Sequence, residues 1–463
     1  MNSSKITLSL ALSSALGISL MASSLQQENL SQDHTYEPGY IAGKGYSLAQ
    51  GWMINGDLRA GSLQYGYRNP ASVNFQGPDD KYQKGDPSIN KGHTDSSGLY
   101  IIPKISLTSP TYNGFSAKVT GAAATDLDIN NENYESRTFV FDGGDREPFA
   151  ILQELNIKFE HNGNKAVVGR EELTTPMIDA DDWYMLANSF ELAYYTNTML
   201  ENSTFNLGYF HKMAGVWDSG AKGTEFHSMS DASFVGAEDK ENAKDAGVAF
   251  GAYQYNDDTH NLQVWEYYAT DLYNMLFAQY DFTQKIGSLS YDVGAQFINW
   301  KGVGALADNE NRANKIDYSL YSLRFDGSFD NGISFATGTA KYSDGEGQGE
   351  TLGAWGGYPY FANGMIFHFF EAGTLQNAAS YKTQLGYKIM DSLSISGRFT
   401  FWDLDDSKSK TKTGEEEDSM SMYGVRLSYS GKEGGYFTGT YEYVDLDNEP
   451  RIDSLRLIGG FKF

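Results

Sequence analysis

Hydrophobic and polar residues alternate along most of the chain beyond residue 47. In the segment Ser394–Phe401, Ile395, Phe399 and Phe401 share one face of an extended strand, and polar residues share the other face. The segment Met422–Tyr429 alternates in the same way. This period predicts strands with one face in lipid and the other in water, although the strands of a soluble β-sandwich alternate with the same period.

The connections between these predicted strands alternate in length. Short turns are expected at 109–113, 161–164, 199–202, 256–261, 283–287, 329–332, 390–392 and 430–434. Long polar connections are expected at 69–98, 126–149, 171–188, 214–245, 301–315, 344–373 and 404–418, and two further short connections near 270–274 and 446–450. Short turns on one rim and long loops on the other are typical of outer-membrane barrels.

The fold class predicted from these features is all-β. Counting the segments gives a transmembrane antiparallel up-and-down β-barrel of about 18 strands, from Trp52 to Phe463, with short periplasmic turns and long extracellular loops. The stretches 214–245 and 344–373 should then be extracellular or folded into the lumen. No later run of 18 apolar residues is present, so a membrane-embedded mature chain must be a barrel.

The ends of the chain carry two further signals. Residues 1–24 have one Lys, an apolar stretch and then small residues, which predicts a signal peptide; a single anchoring helix would be short and unusually polar. Residues 25–46 are expected to be an irregular periplasmic lead-in, and 47–463 the barrel. The last strand ends in Phe463 on an apolar, outward-facing row, which predicts an assembly signal.

Composition excludes several classes of function. The chain has no Cys, which excludes thiol catalysis, thiolate metal sites and disulfides. Its formal charge of −25, without a basic run, argues against nucleic-acid binding. Asp126 and Asp128 begin like a calcium loop, but Asn131 stands where Gly is required, so neither a metal nor another cofactor is predicted.

A barrel of this size leaves an aqueous lumen whose selectivity depends on charged wall residues and inward loops. Strand parity predicts a basic inner wall formed by Arg59, Lys118, Arg170, Arg324, Arg398 and Arg426, with further cations at Lys104, Lys158, Lys382 and Arg456. The same parity predicts inward carboxylates at Asp57, Glu154, Glu191 and Asp292.

Two stretches resemble the OprD-type substrate-specific porins of Gram-negative bacteria. Residues 169–176 (GREELTTP), followed by Asp181-Asp182 and by 188–191 (NSFE), are similar to that family's constriction loop. Residues 339–349 and 356–363 (GGYPYFAN) are similar to its Gly-rich seventh loop. The chain departs from the family at 183–187, where a basic residue and Pro are usual.

The resemblance implies that the acidic loop 171–188 folds into the lumen as the channel constriction. The loop has no Lys or Arg, and its acidic residues are Glu171, Glu172, Asp179, Asp181 and Asp182. Facing the basic wall, it would create a transverse field, with Arg170, Arg398 and Arg426 as the principal arginines.

The predicted function is passive diffusion of small hydrophilic solutes and ions through an outer-membrane porin, with no catalytic step. The predicted partners are outer-membrane lipid, lipopolysaccharide, the barrel-assembly machinery and small solutes, and the sequence leaves open a monomer or a homotrimer. Two alternatives stay open: an outer-membrane enzyme using His211, and a secreted adhesion or carbohydrate-binding β protein suggested by the Tyr-rich loops.

Overall fold

The computed structural model describes residues 39–41, 45–48, 51–68, 96–130, 148–182, 185–215, 225–232, 246–308, 316–343, 355–366, 377–404, 419–446 and 451–463. The predicted signal peptide lies outside these ranges. No helix within them is long and apolar enough to cross a membrane.

The strands in chain order are β1 (Gly39–Ile41), β2 (Gly45–Ser47), β3 (Met53–Arg68), β4 (Ser96–Thr108), β5 (Phe115–Ala124), β6 (Phe149–His161), β7 (Asn164–Glu171), β8 (Ser189–Asn197), β9 (Ser203–Ala214), β10 (His227–Ser228), β11 (Val248–Asn256), β12 (His260–Ala269), β13 (Tyr273–Ile286), β14 (Leu289–Gly302), β15 (Asp317–Phe329), β16 (Ile333–Tyr342), β17 (Ala379–Met390), β18 (Leu393–Asp403), β19 (Ser419–Ser430), β20 (Gly435–Leu446) and β21 (Arg451–Lys462). A four-residue helix, Ala305–Asp308, lies between β14 and β15.

Within the described residues, eighteen of these strands form one closed antiparallel barrel. Each of β3 to β9 and β11 to β21 pairs with its neighbours, β9 pairs with β11, and β21 closes the sheet on β3. Closure pairs every strand edge, as a lipid-exposed sheet requires. The predicted fold class, strand number and position of the first and last strands are confirmed.

Alternation along the strands separates a lipid face from a lumen face. On β18, Ile395 and Phe399 are 40% and 39% exposed, whereas Thr400 on the opposite face is fully buried. The predicted short turns are also confirmed. In the turn between β6 and β7, Asn162 and Gly163 both have positive φ (47° and 73°), which fits a two-residue hairpin that follows strand twist.

Three long connections matter for the lumen: loop 3 (172–188), loop 4 (215–247) and loop 7 (343–378). All three join strand ends on the same rim, opposite the short turns. The described parts of loop 4 and loop 7 are 225–232 and 355–366.

The described part of the lead-in is a hairpin rather than irregular coil. β1 pairs with β2, and β2 pairs with β3 through Tyr46 opposite Ile54. Gly45 permits this contact, because its φ is +91° and a Cβ there would lie 2.4 Å from the carbonyl oxygen of Ile54.

The barrel closes at its C-terminal residue. The Phe463 N–H donates to the Gly56 carbonyl (3.0 Å), and the Gly56 N–H donates to the Phe463 carbonyl (2.8 Å). A Cβ at Gly56 would lie 2.5 Å from the Phe463 ring, so the glycine makes room for the aromatic side chain. The ring centroid of Tyr46 is 6.4 Å away.

Deleting Phe463 removes both seam hydrogen bonds and the ring, and we expect a several-fold lower yield of heat-modifiable barrel in the outer membrane. Phe463→Ala keeps the main-chain bonds and separates the two effects. Normal insertion of the deletion variant, measured by gel mobility before and after heating, would show that the terminal residue is incidental to assembly.

Candidate functional site

Loop 3 folds into the lumen and reaches the wall at β3 and β4. The Arg59 Nη1 donates to the Asp182 carboxylate (2.6 Å) and to the Met185 carbonyl (3.1 Å). The Lys104 ammonium forms an ion pair with Glu172. Two of the predicted loop acids therefore bind wall cations directly, and these contacts hold loop 3 against β3 and β4.

The remaining loop acids sit at the root and centre of loop 3. Glu171 ends β7 on the inner face, opposite the fully buried Phe190. The carbonyl of Asp181 accepts a hydrogen bond from the Asn188 N–H (3.3 Å). Glu171 thus lies on the inner face of the wall, and Asp181 lies within loop 3.

Asp179 has the most strongly perturbed carboxyl group in the loop. Burial raises the pKa of Asp179 to about 6, the Thr174 hydroxyl that donates to it opposes that rise, and the nearby Asp182 charge adds to it. The Thr174 Oγ1 to Asp179 Oδ1 distance is 2.6 Å. The charge of this loop therefore changes near neutral pH.

The first half of the described segment of loop 7, 355–366, lies against the inner wall and crosses several strands in order. The Gln296 amide of β14 donates to the Pro359 carbonyl (2.7 Å). The Ser380 hydroxyl of β17 donates to the Ala362 carbonyl (3.0 Å). Loop 7 is thus held by short polar side chains that face inward.

The second half of that segment is held by two of the predicted wall arginines. The Arg398 Nη1 donates to the carbonyls of Asn363 (3.1 Å) and Gly364 (2.7 Å). The Arg426 Nη2 donates to the Met365 carbonyl (3.1 Å). Both arginines lie on the face that contacts loop 7, and both support that loop as well as carrying wall charge.

Loop 3 and loop 7 meet through their main chains. Ile178 forms isolated bridges with Trp355 and Gly356. Gly356 has a φ of +87°, and a Cβ at Gly357 would lie 2.5 Å from the Pro176 carbonyl oxygen. The glycine pair allows the two backbones to approach more closely than a side chain would permit. This explains why the GGYPYFAN segment begins with two glycines.

Loop 4 packs against loop 7 inside the barrel. The Trp355 Nε1 donates to the Met229 carbonyl (2.9 Å), and the Trp355 ring lies 5.3 Å from that of Tyr273. Trp355, Met229 and Ser230 are all fully buried. Of the two predicted placements, extracellular or folded into the lumen, the burial of these residues favours the second for the described parts of loops 4 and 7.

The wall formed by β13 to β15 carries excess negative charge. A single guanidinium, that of Arg324, lies 2.9 Å from Asp281, 2.7 Å from Asp292 and 3.7 Å from Asp326. The wall at β5 and β6 is balanced instead, because Lys118 pairs with Glu154 at 2.7 Å.

The parity prediction is wrong for Arg170 and for its partner Glu191. Arg170 pairs in register with Leu155 and shares its face with Val168, and these side chains are 52% and 61% exposed on the lipid side. Adjacent valines, 167 and 168, leave the parity of this short strand ambiguous in the sequence. The Arg170 Nη2 pairs with Glu191 at 2.8 Å, and a paired charge costs little near a membrane interface.

Sequence reasoning also missed two inward carboxylates. Asp281 and Glu442 are 2% and 0% exposed. Each stands alone between two aromatic residues, in 280–282 (YDF) and 441–443 (YEY). The parity rule that found Asp292 would have placed both on the inner face.

The other sequence candidates have structural roles. His211 lies beside Tyr209, with ring centroids 6.4 Å apart, and Tyr209 belongs to the exposed outer face. The Asp126 carboxylate accepts the Asp128 N–H (3.0 Å), which closes a turn. Among the described residues no group of three or more His, Cys, Asp or Glu side chains could hold a metal ion.

Comparisons with known proteins agree on one family and one fold. Residues 108–434 match a family model described as outer membrane porin, OprD family. The chain is similar to the crystal structure of Pseudomonas aeruginosa OpdK with vanillate (14% identity, 89% of this chain and 98% of that chain covered, TM-score 0.66).

Two further structures give the same result. Acinetobacter baumannii OccAB4 is 13% identical with a TM-score of 0.68, and coverage is 89% of this chain and 98% of that chain. A BenF-like porin from Pseudomonas fluorescens Pf-5 is 15% identical with a TM-score of 0.65, and coverage is again 89% and 98%. A search of curated proteins found no match. At these identities the structures establish a shared fold.

Replacing Gly357 with Ala should separate loop 3 from loop 7. The new Cβ would lie 2.5 Å from main-chain atoms, and overpacking of this kind costs about 1–3 kcal/mol. We expect a noisier and larger single-channel current in planar bilayers. Gly121→Ala is the matched control, because its Cβ meets no atom within 4 Å. Identical currents in Gly357→Ala would contradict the docking.

The ion preference of the channel should shift towards anions as the pH falls from 7.5 to 5. Protonation of Asp179, whose pKa is raised to about 6 by burial, removes one negative charge from loop 3. Reversal potentials measured across this range should show a smaller change in Asp179→Asn. An equal change in both proteins would assign the effect to other groups.

Proposed function

The chain belongs to the OprD family of outer-membrane porins, and from this premise we propose that loop 3 and loop 7 together form a charged constriction that selects small hydrophilic solutes. The observation that carries the proposal is the inward docking of both loops on different sectors of a charged wall. The proposal includes no chemical step and no cofactor.

Charge is distributed unevenly around the lumen, which supports selectivity by a transverse field. Among the described residues, the sector from β17 to β21 places more cations than carboxylates on the inner face. Lys382, Arg398, Arg426 and Arg456 share that face with Glu442, and Lys388 and Lys462 follow the same parity near the short turns. The sector from β13 to β15 has three carboxylates around Arg324. A dipolar solute between the two sectors would be oriented by their opposite signs.

A small carboxylate is the first solute to test. The cationic sector favours an anionic group on one side of the lumen, and the related OpdK was crystallised with vanillate, an aromatic carboxylate. Uptake of vanillate into liposomes, compared with uptake of an uncharged aromatic alcohol of similar size, would measure that preference.

Assembly supplies the remaining partners of the proposal. We propose that the barrel-assembly machinery recognises Phe463, at the seam, before the barrel closes. Lipid and lipopolysaccharide would surround the exposed apolar face. Whether the barrel works alone or as a homotrimer is decided by its mass in mild detergent.

Removing loop charge should shift selectivity towards anions. A unit charge acts on an ion 4 Å away with about 1 kcal/mol even in bulk water, and more strongly in a narrow pore. We therefore expect Asp181→Asn with Asp182→Asn to move the bilayer reversal potential towards anions several-fold more than Asp391→Asn, a control on the periplasmic rim. An unchanged potential in the double variant would remove these residues from the constriction.

Removing the wall arginines should have the opposite effect. Arg398→Gln with Arg426→Gln is expected to shift the reversal potential towards cations. Because these arginines also hold loop 7, the same positions changed to Lys are the control, which keeps the charge and loses the forked geometry. A cation shift in the Lys variant as large as that in the Gln variant would show that loop displacement, rather than charge, is responsible.

A further inference from the structure

Glu442 contacts the described part of loop 7 as a carboxylate, whereas its neighbours Arg398 and Arg426 contact it as cations. It lies on β20, near the far end of the loop's path, and is fully buried. One of its oxygens accepts the Met365 N–H (2.6 Å), and the other accepts the Ile366 N–H. A charged side chain thus binds two consecutive main-chain donors.

The surroundings of Glu442 are shaped around this contact. A Cβ at Gly364 would lie 3.2 Å from both carboxylate oxygens, and a Cβ at Gly424 would lie 3.2 Å from one of them. The Gly424 Cβ would also lie 2.8 Å from the Met365 sulfur. Glycines on the loop and on the neighbouring strand therefore leave the space in which loop 7 reaches the carboxylate.

The contacts of loop 7 are complementary along its length. Arg398 and Arg426 donate to loop carbonyls, and Glu442 accepts from the loop N–H groups that follow. Hydrogen bonds to ionised groups are stronger than neutral ones. Leaving two buried N–H groups without an acceptor would be costly, so the docked position of this part of loop 7 depends on the carboxylate.

We propose that Glu442 is the positioning residue that fixes loop 7 at the wall and so sets the width of the constriction. The residue does not need to touch the solute; it acts through Met365 and Ile366. The inference rests on the proposed function, because it assumes that loop 7 borders the solute path.

The first test compares Glu442→Gln with wild type in planar bilayers, using poly(ethylene glycol) of graded mass to measure pore width. The amide places an N–H group where an acceptor is needed, and the docked population should fall on the order of tenfold. We expect a larger conductance and admission of larger polymers. Glu154→Gln is the matched control, an inward buried carboxylate that pairs with Lys118.

A disulfide then tests whether loop displacement causes the widening. A Cβ at Gly338 would lie 3.4 Å from the Phe361 Cβ, close to the spacing across a disulfide, and the chain has no other Cys. Adding Gly338→Cys and Phe361→Cys to Glu442→Gln should restore the wild-type polymer cutoff when oxidised and lose it on reduction.

Several results would overturn the proposal. An unchanged cutoff in Glu442→Gln, or one that the oxidised disulfide does not restore, would show that Glu442 does not set the width. If Glu442→Gln yields no heat-modifiable barrel, Glu442→Asp replaces it, and a wild-type cutoff in that shorter side chain would equally refute the inference. If Asp181→Asn with Asp182→Asn leaves the reversal potential unchanged while Glu442→Gln still widens the pore, the proposed charge selectivity is refuted and the role of Glu442 stands.

Discussion

The main-chain contact between loop 3 and loop 7 is the interaction on which the shape of the lumen depends. Both loops bury apolar side chains inside the barrel, among them Met177 and Ile178 of loop 3 and Trp355 of loop 7. Together they pack backbone against backbone at Ile178 and Gly357, with Trp355 wedged beneath them and hydrogen-bonded to loop 4. The contact requires glycine, because the space between the two chains admits no Cβ.

Charge and shape are coupled in this wall, since the same side chains serve both. Arg398 and Arg426 contribute positive charge to one sector and also hold the loop that narrows it. Arg59 does the same for loop 3 through Asp182 and the Met185 carbonyl. A substitution at these positions therefore changes electrostatics and geometry together, and conservative replacements are needed to separate them.

The sequence predicted the barrel well, because strand alternation and the alternation of loop lengths are local and repeated. It predicted inward placement for Arg398 and Arg426, which lie in long strands whose parity is set by several aromatic residues. It failed for Arg170, where Val167 and Val168 stand side by side in a strand of eight residues. The pairing of a loop residue with the wall, such as Asp182 of loop 3 with Arg59 of β3, has no signal in the periodicity of the strand, since it joins residues 123 positions apart.

The acidic loop does not make the constriction simply acidic. Asp182 and Glu172 are paired with Arg59 and Lys104, so part of the negative charge of loop 3 is neutralised where it meets the wall. Screening over about 10 Å at 0.1 M salt leaves distant surface charges with little influence on an ion in the lumen. The net charge of −25 is therefore a poor guide to selectivity. A better guide to selectivity is the contrast between the carboxylates around Arg324 and the cations from β17 to β21. Those groups face the water in the lumen.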